Sequence, residues 1–143
     1  MTKFELETFI PYQLAVLSER VSQEFSTLYK PKFGISVAEW RVIAHLSQSD
    51  RVSVREIHTR VAMDKSKVSR AASRLEAGGY ITKSANTADG RLVTLALTAK
   101  GRAMMAELTP LAAEYEDSVM AELGHSAEAF RDMLTRLLSK DAS

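Results

Sequence analysis

The sequence predicts a mainly α-helical fold that carries a small β-hairpin. Apolar residues recur at steps of three and four along most of the chain, which is the spacing of a helix seam. The period changes to two between Ile81 and Leu97, where strand-like runs flank a polar loop. The 143 residues are 45% hydrophobic and 26% charged, which is typical of one globular domain with its own core.

Composition excludes several kinds of site. The chain has no cysteine, so disulfides, thiolate metal sites and thiol redox sensing are ruled out. No apolar run approaches the roughly 20 residues of a membrane span, and the N-terminus lacks a basic region followed by an apolar core. We therefore expect a cytoplasmic protein with no membrane partner.

The charge is unevenly divided along the chain. The net charge is +1, but residues 51–102 hold 11 Lys and Arg against 4 Asp and Glu, and the remainder holds 8 against 14. Such asymmetry indicates a basic binding module between acidic flanks.

A long first helix is predicted from Leu6 to about Lys30. Pro11 lies in its first turn or at a kink, and Pro31 is expected to end it. Its apolar stripe is Ile10, Leu14, Leu17, Val21, Phe25 and Leu28. This stripe must be buried either across the same domain or against a second subunit, and the sequence leaves both open.

Two short helices follow, each with a capping-box start. Ser36 with Glu39, and Ser53 with Glu56, place a hydroxyl at the N-cap and a carboxylate three residues later. Trp40, Ile43 and Leu46 are expected to face inward in the first, and Val54, Ile57 and Val61 in the second. The second joins the next helix through a very short connection, which is typical of a helix-turn-helix.

The next helix, residues 64–79, carries the strongest functional signal. Val68, Ala71, Ala72 and Leu75 form its narrow apolar seam. The opposite face carries Ser66, Lys67, Ser69, Arg70, Ser73 and Arg74. Cations and small hydroxyl donors suit phosphates and base edges in a DNA major groove, although such a face can also be merely solvated.

The first turn of this basic helix departs from the other two. Asp64 is a suitable N-cap, but Lys65 and Lys67 stand at the first and third helical positions and oppose the helix dipole. A phosphate at that N-terminus would reverse the effect, because amides, dipole and lysines would all face it.

The hairpin after Gly78-Gly79 is interpreted as a wing. Ile81-Thr82-Lys83 and Arg91–Leu97 are its strands, and residues 86–90 are its loop. An arginine on a projecting loop suits the electronegative minor groove of DNA, so Arg91 is a candidate contact. Asp89 either holds the turn through Arg91 or orients that guanidinium toward DNA, and both roles are compatible.

The C-terminal third is predicted to be helical. Thr98 caps a helix to about Leu123, with a kink at Pro110, and the last helix starts near Ser126. Its stripe is Phe130, Met133, Leu134, Leu137 and Leu138. A terminal helix with so much apolar surface is interpreted as a dimerisation element, and the methionines as packing residues rather than a cofactor site.

Four segments together resemble the MarR family of winged helix-turn-helix transcription regulators. The most specific is 89–101, DGRLVTLALTAKG, which is similar to the family's wing signature. The others are Pro11-Tyr12-Gln13-Leu14, Glu39-Trp40-Arg41-Val42, and Ser66–Arg70 with Leu75-Glu76. Gly90 departs from the pattern, since many relatives have Arg or Pro there.

The resemblance implies a sequence-specific regulator of transcription, a repressor in our interpretation, that binds a near-palindromic operator. It implies a lobe of residues 34–98 that binds double-stranded DNA, and a homodimer formed by residues 1–33 and 99–143. DNA contacts are expected from Ser53, Arg55, Lys65, Ser66, Lys67, Ser69, Arg70, Arg74, Asp89 and Arg91. A small-molecule effector, often an aromatic acid in this family, is expected to release the DNA from a cleft beside the lobe.

The alternatives to a DNA-binding regulator are an enzyme, a metal sensor and a winged helix that only binds protein. His45, His58 and His125 lack the companions of any catalytic motif, so an enzyme is disfavoured and no cofactor is expected. None of their spacings is a ligand spacing, which disfavours a metal site. A winged helix that only binds protein has no need of cations at the start of the basic helix or of an arginine at the wing tip.

Overall fold

A computed structural model of the chain describes residues 3–49, 51–61, 63–85 and 93–140. The helices are α1 (Ile10–Phe33), α2 (Val37–Leu46), α3 (Val54–Arg60), α4 (Lys65–Ala77), α5 (Ala99–Leu123) and α6 (Ala127–Leu138). The strands are β1 (Val52–Ser53), β2 (Ile81–Ala85) and β3 (Val93–Leu97), and 3₁₀ turns cover Leu6–Thr8 and Gly124–Ser126. The fold is mainly α with a small antiparallel sheet, as predicted.

The prediction that Pro31 ends the first helix is wrong. Pro31 lies inside α1, which runs to Phe33 and ends at Gly34 in the left-handed conformation (φ 69°). The N–H of Gly34 closes the last turn on the carbonyl of Lys30 at 2.8 Å. A proline in a final turn removes one amide donor without interrupting the rest of the helix, so the glycine sets the end.

The sheet contains a strand that the sequence did not predict. Its order is β1-β3-β2, so β3 is central and β2 lies at an edge. Ile81 pairs with Leu97 and Ala85 with Val93, which confirms the predicted hairpin pairing, while the added strand pairs Val52 with Leu95. Strand β1 has only two residues and α3 follows it directly, so the sequence there shows no alternation of apolar and polar residues that would predict a strand.

The chain divides into two compact units, Met1–Thr109 and Pro110–Ser143. The first holds most of the core, in which α4 packs on α2 and α3 and the sheet packs beside them. Val42, Ile43, Ile57, Val68, Leu75 and Leu95 are all fully buried. The second unit comprises the C-terminal part of α5 and the helix α6, which starts after Ser126 as expected.

An aromatic cluster joins α1 to α2. The ring of Phe25 lies edge-on to those of Tyr29 and Trp40, with both centroid distances at 5.1 Å. The guanidinium of Arg41 adds a hydrogen bond to the hydroxyl of Ser22 at 3.1 Å. Of the predicted α1 stripe only Phe25 is buried in this core, since Ile10, Leu14, Leu17 and Leu28 are exposed.

Tyr29 has an unusual environment. It is fully buried, yet its hydroxyl has no hydrogen-bond partner among the described residues. Burial raises the pKa of Tyr29 to about 12, and the nearby Arg41 and Glu39 act in opposite directions on it. An unpaired buried hydroxyl destabilises the fold, by roughly 1–3 kcal/mol for a group of this kind.

We expect Tyr29→Phe to leave the free energy of unfolding unchanged or to raise it by about 1 kcal/mol, because the ring contacts stay and the unpaired hydroxyl goes. Because burial raises the folded pKa of Tyr29 above its unfolded value, titration of this phenol does not reduce the stability of the wild type below about pH 10. The wild type loses stability as pH rises from about 10 toward about 12, because the unfolded state ionises first. The variant should lose less stability over this range.

Urea denaturation at neutral pH and at about pH 11 measures both effects, with Tyr12→Phe as the control because Tyr12 is exposed. A clear loss of stability in Tyr29→Phe at neutral pH would mean that the hydroxyl has a partner.

Candidate nucleic-acid interface

The start of α4 is fixed by Asp64. Its carboxylate accepts the backbone N–H of Lys67 at 2.9 Å and the hydroxyl of Ser66 at 2.8 Å, which confirms the predicted N-cap. These two hydrogen bonds, aided by the charges of Lys67 and Arg70, lower the pKa of Asp64. Lys65 and Lys67 are exposed in the first turn, at the positions that the sequence predicted.

The two faces of α4 divide as predicted. Val68, Ala71, Ala72 and Leu75 are buried. The predicted contact residues Lys65, Ser66, Lys67, Arg70 and Arg74 are exposed, as is Ser73, and Ser69 is half-buried. One helix therefore presents four cations and its small hydroxyl groups to solvent on a continuous surface.

A cleft lies along one flank of α4, between it and α1 and α2. We call it the α1 cleft; its volume is about 730 Å³. Its basic residues are Lys30, Arg41, Lys67, Arg70 and Arg74, and its acidic residues are Glu19 and Asp64. Three of these cations also belong to the exposed face of α4, so the cleft and the outer surface share them.

A smaller groove lies along the other flank, between α4, α3 and the hairpin. We call it the wing groove; its volume is about 150 Å³. Val54, Arg55, Lys65, Ser69, Ala72, Lys83 and Val93 line it. Arg55, Lys65 and Ser69, three of the predicted DNA contacts, thus line one groove. Lys83 lines it too, although the sequence did not single it out.

Ser53 has a different position from the other predicted contacts. It is buried, and its hydroxyl accepts the N–H of Glu56 at 3.1 Å in a complete capping box. Its own N–H meets the Glu56 carboxylate at 3.4 Å. We therefore assign Ser53 to holding the start of α3, whereas Arg55 in the same turn is exposed.

At Ser36 the cap is only half formed, since its hydroxyl rather than its N–H meets the Glu39 carboxylate, at 3.0 Å.

Two histidines tie the helices of this lobe together. Arg60 contacts the Nε2 atom of His45 at 3.1 Å and the carboxylate of Glu56 at 3.4 Å, which links α2 to α3. The ring of His58 donates from Nδ1 to the carbonyl of Met63, just before α4. These contacts give His45 and His58 structural roles that the sequence did not reveal.

The end of α4 is held by the segment that starts α5. Gly79 is left-handed (φ 81°), and the N–H of Tyr80 returns to the carbonyl of Leu75 at 2.9 Å. Thr98 donates from its N–H to the carbonyl of Tyr80 at 3.0 Å and from its hydroxyl to that of Gly79 at 2.6 Å. The ammonium of Lys100 reaches the carbonyl of Gly78 at 2.7 Å.

Gly101 completes this clamp. Its N–H donates to the Thr98 hydroxyl at 3.1 Å, which confirms Thr98 as the cap of α5. A side chain at position 101 would place Cβ 2.1 Å from the main-chain oxygen of Tyr80. Only glycine permits this approach, so the close packing of the start of α5 on the end of α4 depends on Gly101.

Asp89 and Arg91 lie outside the described residues, as does the predicted loop 86–90. The described strands bring Ala85 opposite Val93, next to the predicted wing tip in sequence. Their proposed role at DNA stays a prediction.

Two other features, a metal-binding cluster and a membrane-spanning helix, are absent from the described residues. Among residues 3–49, 51–61, 63–85 and 93–140, no three His, Asp or Glu side chains are grouped so that they could hold a metal ion. No helix in the described part of the chain is both long and apolar enough to cross a membrane.

Comparison with known proteins points in one direction. A family model described as MarR family matches residues 33–92. The HTH-type transcriptional repressor IacR of Pseudomonas putida is 28% identical over 99 residues, which cover 69% of this chain and 59% of that protein. The HTH-type transcriptional regulator BilQ of Clostridioides difficile (strain CD3) is 26% identical over 80 residues, covering 56% and 54%. Each match therefore spans less than two-thirds of the relative.

Solved structures match over almost the whole chain. A MarR/EmrR family transcriptional regulator from Acinetobacter sp. ADP1 gives a TM-score of 0.81 at 28% identity, covering 94% of this chain and 95% of that one. BpsR of Bordetella bronchiseptica, whose DNA binding is regulated by 6-hydroxynicotinic acid, gives a TM-score of 0.81 at 22% identity, covering 98% and 100%. The second likeness is evidence of the fold alone.

Proposed function

We propose that this chain, which is similar to the MarR family of winged helix-turn-helix transcriptional regulators over residues 33–92, is a repressor of that family that binds a near-palindromic operator as a homodimer. The observation that carries this proposal is the exposed face of α4. Four cations stand on one helix that is anchored at both ends, and two of them lie in its first turn.

The cations at the start of α4 need an anionic partner. They oppose the helix dipole, which disfavours the helix by roughly 0.3–1 kcal/mol for each exposed charge. Asp64 offsets part of this through its own charge. A DNA phosphate would reverse the remainder, because the helix N-terminus, Lys65 and Lys67 all attract it.

We assign α4 to the major groove and the hairpin to the flanking backbone and minor groove. Arg70 and Lys67 face outward from the middle and start of α4, where the chemistry favours base edges and nearby phosphates. Arg91, at the wing tip, is proposed to enter the minor groove. Residues 34–98 form the DNA-binding lobe in this proposal.

Arg70→Ala and Lys67→Ala should weaken binding to the operator more than to a scrambled duplex, by roughly 1–3 kcal/mol for a lost base contact. Arg91→Ala should weaken binding to both duplexes and make affinity less steeply dependent on salt. Fluorescence anisotropy with a labelled duplex from upstream of the gene, at two salt concentrations, measures all of these.

Lys3→Ala is the control, since Lys3 is exposed and lies far from the lobe in sequence. If the wild-type protein binds the upstream duplex without preference over the scrambled one, either the operator lies elsewhere or the winged helix serves a protein partner. If Arg91→Ala binds as the wild type does, the wing assignment is wrong.

The dimer is proposed from apolar stripes that the single chain leaves exposed. On α6, Met133 is 54% exposed, Leu137 62% and Leu138 84%. On α1, Ile10, Leu14 and Leu17 are also exposed along the predicted seam. Apolar surface repeated at helical spacing favours a partner helix, and we propose a second copy of the chain.

Leu134→Glu combined with Leu137→Glu should convert the dimer into a monomer and reduce operator affinity, because two carboxylates would enter the apolar interface. Sedimentation velocity gives the mass, and Arg136→Glu is a matched control on another side of α6. A wild-type protein that sediments as one chain, or a double variant that stays dimeric, would contradict this interface.

A small organic anion is proposed to release the DNA by entering the α1 cleft. The cleft offers Lys30 and Arg41 in addition to the three cations that it shares with the face of α4. An anion bound there would compete with DNA for Lys67, Arg70 and Arg74. The regulation of BpsR by 6-hydroxynicotinic acid supports an aromatic acid as the class of ligand.

In this proposal Arg41→Gln should bind operator DNA but respond less to 6-hydroxynicotinate, salicylate or benzoate, because one carboxylate partner is lost. Competition by these probes in the anisotropy assay, with benzamide as the uncharged comparison, measures the response. Ser22→Ala is the control, since it removes the bond between α1 and Arg41 but leaves the cleft charges. An unchanged response in Arg41→Gln would place the effector elsewhere.

A further inference from the structure

Lys83 stands at an unexpected position in β2. It pairs with Leu95, which is fully buried, and paired residues of an antiparallel ladder share one face of the sheet. Ile81, on the same face, is also buried. Lys83 therefore lies on the face of the sheet that packs toward α4. Its neighbours on that face are apolar, so an apolar side chain is expected at this position.

This lysine reaches across to α4. Its ammonium donates to the hydroxyl of Ser73 at 2.8 Å, and its side chain lines the wing groove with Arg55 and Lys65. The groove is thus bordered by cations from α3, α4 and β2, and its other lining residues are apolar or carry a hydroxyl. In the described part of the chain, none of the three cations forms an ion pair.

A purely structural role explains only part of this arrangement. Lysine on an edge strand discourages pairing with another chain, and β2 is an edge strand. That purpose is served by a lysine on either face and does not require two further cations beside it. Three like charges around one groove repel each other, so the arrangement needs an anion to be favourable.

We propose that the wing groove is the binding site of a single DNA phosphate, and that Lys83 is one of its ligands together with Arg55 and Lys65. The inference rests on the proposed function and assigns a contact of the DNA backbone to a residue of the first wing strand. The phosphate, with its single negative charge, offsets the repulsion among the three cations and joins α3, α4 and the hairpin to one point on the DNA.

The test replaces each operator phosphate in turn with an uncharged methylphosphonate. The wild-type protein should lose about tenfold in affinity at one phosphate in each half-site, as for a charge-assisted hydrogen bond. Lys83→Met should bind the unmodified operator more weakly and lose the sensitivity at that position only. The slope of log affinity against log salt should fall by about 0.9 for each subunit.

Three further variants make the result decisive. Lys83→Arg should restore the sensitivity, and Lys140→Met should leave the wild-type profile unchanged, since Lys140 is exposed at the end of α6. Ser73→Ala breaks the bond to Lys83, and it should keep the sensitive position.

Two outcomes would overturn the proposal: Lys83→Met keeps the full methylphosphonate profile, or Ser73→Ala loses the sensitivity as Lys83→Met does. Failure of the proposed function is a separate result, because the wild-type protein would then show no preference for the operator.

Discussion

The anchoring of α4 at both ends is the constraint on which the rest of the first unit depends. Asp64 satisfies the first turn, and the segment Thr98–Gly101 holds the last through carbonyls of residues 78–80. A Cβ at position 101 would lie 2.1 Å from the Tyr80 oxygen, so this close approach of α5 to the end of α4 requires glycine. In the proposed DNA-binding role, these contacts at both ends would fix the direction of α4.

Packing and charge act on opposite sides of the same helix. The inner seam uses Ala71 and Ala72, whose small side chains let α4 lie close to α2, while Val68 and Leu75 each contribute roughly 1.5–3 kcal/mol by burial. This apolar face stabilises the helix enough to tolerate an outer face of cations that disfavour it. Stability is therefore supplied by the buried face, and the residues of the exposed face are not constrained by core packing.

The sequence predicted those features that depend on residues close to one another in the chain. The seam and exposed face of α4, the cap at Asp64, the hairpin and the end of α5 at Leu123 all follow from local spacing and were confirmed. The end of α1 was predicted wrongly because Pro31 was expected to break the helix. The helix continues through Pro31 and ends at Gly34.

Features that depend on distant contacts were not predicted. Lys83 looked like an ordinary wing residue until its pairing with Leu95 fixed the face that it occupies. The strand β1 and the contact of Gly101 with Tyr80 likewise join segments far apart in the chain. The burial of the Tyr29 hydroxyl, which has no hydrogen-bond partner among the described residues, depends on packing of its ring against Trp40 of another helix. Ser53 is a different case. The sequence placed it among the expected DNA contacts, but its hydroxyl already accepts the N–H of Glu56.

The position of α1 suggests how DNA release and dimerisation are related. One face of α1 carries the exposed stripe of Ile10, Leu14 and Leu17, and another face lines the α1 cleft through Gln23, Ser26 and Lys30. The same helix would thus contact the second subunit and the proposed effector at once. In this proposal, a ligand that drew Arg41 and the cations of α4 toward α1 would act against a helix that the partner subunit holds in place, so the displacement would fall on the proposed DNA-binding face.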